Sequence, residues 1–362
     1  MQSKTKIYID KDSLEIIAQD STISDNYYKN IIEIFRRHGD LYLDVTEEEL
    51  DSIREPKDLN DPGDIYTFIE GKNISWPLSA IDNFEAIHEK EKQPDINGNI
   101  VYILNKKEEV KLLREEYGVL AIYIDDLTDD IFYYYFEPDL DKDYVLGNAT
   151  NGWQCILKEE ISLLPPINSI VVSDSNLLTN NKKSSATGEN HFCGLENLKD
   201  LLSMLLPKDI NVSFYILIIC PPTSKLEEGK TNKIVKRWIA EIKSLRNYKI
   251  VVEFLITTKA VHSRDLYTNN YQIHLDKGFY VFEPWTKRVH KEGVSHNNVK
   301  LFTYLYSPFK RGKSDLDSAL VDLNLISKMY DAYLRNTGVS RIIDLIDDPV
   351  KSCDLCQNRI LF

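Results

Sequence analysis

Val261 to Phe282, VHSRDLYTNNYQIHLDKGFYVF, follows closely on an apolar run, Lys249 to Ile256, KIVVEFLI. The run reads as a buried strand, and the segment behind it carries His262, Arg264 and Asn269 in the spacing H-x-R-x4-N. Alternate residues of an extended chain share a face, so His262 and Arg264 are expected on one side. Such a pair suits a phosphate. An imidazole can serve as nucleophile or proton carrier, and a guanidinium forks onto two phosphoryl oxygens.

This spacing resembles the H-x-K-x4-D signature of the phospholipase D superfamily. In that fold two such histidines meet across a pseudo-twofold axis, one attacking phosphorus and the other protonating the leaving group. The chain carries one copy, so the resemblance implies a homodimer with a shared site. It implies a catalytic set of His262, Arg264 and Asn269 and no cofactor for the His262 site. The sequence departs from the signature in three places. Arg264 replaces lysine, Asn269 replaces aspartate, and Asp276-Lys277-Gly278-Phe279 stands where a G-S-x-N would follow. The H-x-R form is also similar to the phospholipase D-like C-terminal domain of MIT-domain proteins, which binds membranes and is not known for catalysis. Three readings of His262 stay open at this point: a catalyst, a phosphate-binding relic, or a structural histidine at a strand end.

A chain of 362 residues exceeds what one core usually holds and predicts two α/β domains, over 1–140 and 141–362. With 43% hydrophobic and 10% aromatic residues there is enough apolar surface for both. No stretch approaches the roughly 18 apolar residues of a membrane span, and MQSKTKIYID lacks the apolar core of a signal peptide, so a cytoplasmic location is expected. Five scattered cysteines, Cys155, Cys193, Cys220, Cys353 and Cys356, argue against a disulfide framework. The charge is uneven. Residues 1–150 carry 34 Asp and Glu against 16 Lys and Arg, a net −18, and the remainder 23 against 28, a net +5. An acidic half suits metal ions or a basic protein partner, and a mildly basic half suits phosphates.

In the first half, strands are predicted at Lys6–Asp10, Leu41–Val45, Ile65–Ile69, Ile100–Leu104 and Val119–Ile124. Helices are expected within Ser13–Phe35, after the capping box Thr46-x-x-Glu49, over Ser79–Glu89 and over Lys107–Tyr117. Strands alternating with helices predict a mainly parallel sheet. This order resembles a PIN-like nuclease domain, in which acidic residues at strand ends gather Mg²⁺ or Mn²⁺ to activate water against a phosphodiester. The resemblance would give Asp10, Glu49 and Asp82 as metal ligands, with Asn105 standing where a further aspartate is often found. Asp125, Asp126, Asp129 and Asp130 read as a solvated acidic turn.

Beyond a polar boundary, Glu137 to Asn151, the pattern restarts. Strands are predicted at Ile167–Ser173, Val212–Cys220, Lys249–Ile256 and Phe279–Phe282, and helices at Leu195–Leu206 and Lys230–Leu245, with Asn180–His191 as a loop. That layout resembles one phospholipase D half-domain over about 120 residues. If the strands run parallel, their C-terminal ends share an edge where ligands bind. Asp174 is expected there, either capping a turn or orienting His262, and His274 reads as structural. Lys182, Lys183, Lys225, Lys230 and Lys233 lie in or beside loops at that edge and are candidates for phosphate or nucleic-acid contact. Trp285, Lys287, Arg288, His290, Lys291 and His296 form a basic tract with an aromatic border, the composition that single-stranded nucleic acid needs. Asp315–Arg335 is predicted as an amphipathic helix that covers a sheet face or forms a dimer contact, and Cys353-Asp-Leu-Cys356 is half a zinc knuckle.

Two functional expectations follow. The first is a homodimeric phosphodiesterase, a nuclease by preference, acting through His262; two nuclease-like folds in one chain resemble stand-alone effectors of bacterial defence against phage. The second is a degenerate phospholipase D-like module that binds nucleic acid, a phosphorylated ligand or a protein partner.

Overall fold

The computed structural model describes residues 5–19, 39–54, 78–89, 92–127, 134–138, 140, 152–179, 181–183, 188, 190–222, 228–257, 264–289, 299–304, 315–335, 340–343 and 358–361. The first unit runs β1 (Thr5–Ile9), α1 (Lys11–Gln19), β2 (Gly39–Leu43), α2 (Glu47–Arg54), β3 (Leu78–Ser79), α3 (Ile81–His88), β4 (Ile100–Leu104), α4 (Lys107–Tyr117) and β5 (Leu120–Tyr123). Every strand pair in this sheet is parallel, in the order β3-β2-β1-β4-β5. The order reverses between β1 and β4, so the crevice at their C-terminal ends is where an open α/β sheet places a ligand.

The local reasons follow the sequence. Thr46 and Glu49 form the reciprocal capping box, with Glu49 N donating to Thr46 Oγ1 at 3.2 Å and Thr46 N to Glu49 Oε2 at 2.9 Å. Helix α4 ends at Gly118, whose φ of 62° supplies the left-handed C-cap. The expected strand at Ile65–Ile69 lies outside the described residues.

The second unit opens with β6 (Tyr135–Phe136) and a one-turn helix α5 (Gln154–Leu157), then β7 (Ser169–Asp174), β8 (Asn181–Lys183), β9 (Asn190–Phe192), α6 (Cys193–Leu205), β10 (Phe214–Cys220), α7 (Glu228–Lys243) and β11 (Ile250–Ile256). It continues with β12 (Arg264–Thr268), β13 (Tyr271–Leu275), β14 (Val299–Thr303), α8 (Asp315–Arg335) and β15 (Ser340–Ile343). The sheet has the order β15-β11-β10-β7-β12-β13-β14-β6 and is mixed. Strands β7, β10 and β11 are parallel, and β12 to β14 continue as an antiparallel meander. Tyr135–Phe136 closes its edge against β14, so the chain before residue 141 contributes to both sheets.

Two expectations need correction. Asn180–His191 is not wholly a loop, because β8 and β9 pair antiparallel within it. Phe279–Phe282 forms no strand and makes one isolated bridge, Phe282 to Val289. The fourth strand is instead Arg264–Thr268, turned back by Asn269-Asn270 into β13, where Thr268 Oγ1 accepts the N–H groups of Asn270 and Tyr271 at 3.1 and 2.9 Å.

Alternation along the strands divides the core into layers. Ile170, Val172, Ile216, Ile218, Val252 and Phe254 pack under Leu198, Leu202, Trp238 and Ile239 of α6 and α7. The opposite face, Val171, Leu217, Ile219, Leu255 and Tyr267, meets Leu320, Leu323 and Ile326 of α8. Ile7, Ile9, Val101 and Ile103 of the first sheet belong to the same apolar cluster. The two sheets therefore share one buried layer. No described helix is long and apolar enough to cross a membrane.

Candidate functional site

The C-terminal ends of β7, β10 and β11 bring Asp174, Cys220 and Ile256 to one edge. Arg264, the first residue of β12, stands opposite Asp174 in register. Asp174 is fully buried; its Oδ1 accepts Asn176 N at 2.7 Å and its Oδ2 accepts Phe279 N at 3.0 Å. It thus caps the turn after β7 and holds the Gly278-Phe279 loop over the edge. Burial raises its carboxyl to about 6, although both backbone donors and the Arg264 charge oppose that rise. An Nη of Arg264 donates to the Asp276 carbonyl, and its buried Nε has no hydrogen-bond partner among the described residues. The Lys182 ammonium lies 5.0 Å from the centre of the Tyr280 ring, next after Phe279 in the chain. Lys183 belongs to β8 and Lys230 and Lys233 to α7. His262, Lys225, His290, Lys291, His296, Cys353 and Cys356 lie outside the described residues.

Asn269 is not at this edge. It sits beyond the far end of β12, and five residues at about 3.3 Å each separate it from Arg264 by about 16 Å. Its side chain is spent there: Oδ1 accepts the N–H groups of Asn168 and Ser169 at 3.1 and 3.0 Å, and Nδ2 donates to the Gly98 carbonyl at 3.3 Å. Of the expected trio, Arg264 and Asn269 are therefore not brought together, because they occupy opposite ends of one strand.

Sequence reasoning passed over a hydrogen-bonded chain on the opposite face of the meander. His274 Nδ1 meets Asp265 Oδ1 at 2.6 Å, and its Nε2 meets Asp276 Oδ1 at 3.1 Å. Asp265 Oδ1 also accepts Gln272 Nε2 at 2.9 Å, and Tyr267 OH lies 3.2 Å from Asp265 Oδ2 and 2.9 Å from Asp322 Oδ2 on α8. Both ring nitrogens face carboxylates, which favours the imidazolium and raises His274. The alternation of Asp265, Tyr267 and Gln272, His274 on adjoining strands was the signal available.

In the first sheet, Asp10 lies at the switch point. Its Oδ1 accepts Ser13 N and its Oδ2 accepts Asn105 N, both at 2.8 Å, tying the end of β1 to the end of β4. Asp44 is raised to about 6 by burial first, then by Asp10, Glu49 and Glu109. Glu49 pairs with Lys11 at 2.8 Å and with the Thr46 cap, which hold its carboxyl down to about 2. Asp82 is not part of this group; it lines a cavity with Lys92 and Asp95. Among the described residues no three His, Cys, Asp or Glu side chains are grouped as a metal site.

The basic tract is partly tied down: Lys287 pairs with Asp200 at 3.5 Å, while Trp285 stays exposed and meets His191 edge-on at 5.6 Å. A scan against protein-family models finds no match to this chain, and a search of curated proteins finds none either.

Proposed function

We propose that the second unit is a degenerate phosphate-binding module of phospholipase D-like descent, which holds a phosphate-bearing ligand at the Asp174–Arg264 edge without turning it over. The observation that carries this reading is the separation of Arg264 from Asn269, with the Asn269 amide consumed by backbone groups. A guanidinium at the end of a strand can fork onto phosphoryl oxygens, and Lys182, beside the Tyr280 ring that follows the Gly278-Phe279 loop, supplies a second cation. Catalysis needs its groups held together on the reacting phosphorus, and an asparagine about 16 Å away contributes nothing to it. Three described cysteines, Cys155, Cys193 and Cys220, are free thiols, which suits a cytoplasmic setting.

The test is incubation of purified protein with end-labelled single- and double-stranded DNA and RNA, with and without EDTA, alongside binding measured by fluorescence anisotropy. Binding weakened at least tenfold by Arg264→Met, with no cleavage by wild type, supports the module. Metal-independent cleavage abolished by His262→Ala, from a protein that sediments as a dimer, overturns it in favour of a homodimeric nuclease. EDTA-sensitive cleavage indifferent to His262→Ala overturns it in favour of the acidic first unit.

A further inference from the structure

The turn Arg359–Leu361 docks on the second sheet at the N-terminal end of β7. Asn358 fixes it: Nδ2 donates to the Ile170 carbonyl at 2.8 Å, and Oδ1 accepts Ser169 Oγ at 3.0 Å and Ile360 N at 3.1 Å. This delivers Arg359 to the junction of the two sheets, where its guanidinium carbon lies 4.9 Å from the centre of the Tyr215 ring. Arg359 is 6% exposed. Among the described residues nothing accepts a hydrogen bond from it, and its Nη1 is wholly shielded.

Arg246 in the same protein shows what a half-buried structural arginine does. Its Nε and two Nη donate to the carbonyls of Pro207, Leu245, Ser203 and Leu206, all at 2.7 to 2.8 Å. Arg359 has only an aromatic face, which recovers part of the cost of burying a cation and leaves its donors unused. Burial accordingly brings its guanidinium down to about 10.

Arg359 lines a cavity of about 980 Å³ whose other walls include Asn83, Lys92, Asn97 and Asp82 from the first unit and Tyr215 from the second. Of the other charges there, Asp95 and Lys92 have partners, and Asp82 acts on Lys92 by its charge. Asp95 holds Lys6 at 2.5 Å and Tyr8 OH at 2.8 Å, and Lys92 pairs with Glu89 at 3.0 Å and Glu85 at 3.8 Å. We propose that this cavity binds a small ligand bearing an oxyanion, a phosphate monoester or a carboxylate, which takes the unused Arg359 donors and bridges the two units. A planar guanidinium matches either oxyanion bidentately, and the volume is that of a small-molecule site. The site is at the opposite end of the strands from Arg264 and does not depend on the module proposed above.

The experiment measures thermal midpoints and calorimetric binding of the full chain with inorganic phosphate, adenosine monophosphate and citrate as probes, against chloride at equal ionic strength. The wild-type midpoint rises by about 3 °C or more with at least one probe. Arg359→Met removes that part of the shift, and the ligand-free midpoint stays equal or rises because an uncompensated charge has gone. The readout is the part lost in Arg359→Met, since phosphate held at Arg264 is untouched by that change. Gln93→Trp, at the exposed rim, keeps Arg359 and weakens binding at least tenfold. A response to phosphate and adenosine monophosphate alone assigns the phosphate class, and a response to citrate alone the carboxylate class. No shift above chloride at 10 mM probe, equal shifts in wild type and Arg359→Met, or a lowered ligand-free midpoint in Arg359→Met each overturns the proposal.

Discussion

Asn269 accepts the backbone N–H of Ser169 on its Oδ1 at 3.0 Å, at the start of the strand that ends in Asp174. The same oxygen takes Asn168 N, and the Nδ2 reaches across to the Gly98 carbonyl of the first unit. A residue that the sequence motif offers for phosphate chemistry is thus a clamp between two sheets. Asn269→Ala leaves two buried N–H groups unsatisfied and is expected to cost about 2–4 kcal/mol in urea denaturation. Phosphate-ligand affinity at the Arg264 edge changes less than twofold. A tenfold loss of that affinity with unchanged stability would return Asn269 to the site.

Gly278 answers to a different constraint. Its φ is +90°, and a Cβ there would lie 2.7 Å from Asp174 Oδ2. Gly278→Ala strains the backbone and pushes on a buried carboxylate that Phe279 N is bonded to, so a loss of about 1–3 kcal/mol is expected. Thermal denaturation of Gly278→Ala beside Lys277→Ala checks this, because the neighbouring substitution introduces no such clash.

Where the sequence was legible, the physics was local. Ile100–Leu104 and Lys107–Tyr117 follow from an unbroken apolar run and from 3.6-residue spacing, and both elements have those bounds in the structure. The Thr46–Glu49 capping box forms with both of its hydrogen bonds. The hairpin of β12 and β13 had a signal, two alternating runs parted by Asn269-Asn270, but the histidine motif drew the strand boundary elsewhere. Phe279–Phe282 looks like a strand because it is apolar; Gly278 and the bond from Phe279 N to Asp174 commit that backbone to a loop instead. The candidate site was less legible than the fold. Asp174 as a turn cap and Asp10 and Glu49 near one sheet edge were readable from strand ends. The isolation of Asp82 and the unpartnered Arg359 depend on contacts between segments far apart in the chain, which no local spacing encodes.

Asp44 predicts how stability changes on the acidic side of neutrality. Its folded value, about 6, lies above the unfolded carboxylate near 4, so the folded state binds the proton more readily. Stability contributed this way falls as pH rises through that window, and the charged form is a liability at pH 7. Asp44→Asn removes the cost of burying a charge and the repulsion from Asp10, Glu49 and Glu109 together. It is expected to stabilise the protein at pH 7.5 by about 1–2 kcal/mol after screening, and to flatten the slope between pH 4 and 6. Denaturation midpoints across that range decide it, and a destabilised Asp44→Asn at pH 7.5 would contradict the placement of Asp44 among Asp10, Glu49 and Glu109.

His274 carries the opposite dependence. The groups facing it are Asp265 and Tyr267 on β12, Gln272 on its own strand, Asp276 in the following turn, Asp322 on α8, and Lys300, its register partner on β14, which leans to Glu137 at 3.6 Å. The two carboxylates bonded to the ring raise its folded value above that of the free imidazole. The stabilisation is therefore fully present below about pH 6.5 and is lost as pH rises through the folded value. When the proton leaves, one ring nitrogen must face a carboxylate as an acceptor, and the chain from Asp265 through Tyr267 to Asp322 on α8 loses the cation bonded to its Asp265 end. His274→Gln is expected to lower stability by about 2–3 kcal/mol at pH 6 and to narrow its gap from wild type above pH 9. Chemical denaturation at the two pH values provides the check, and an equal deficit at both would mean that the ring packs without its charge.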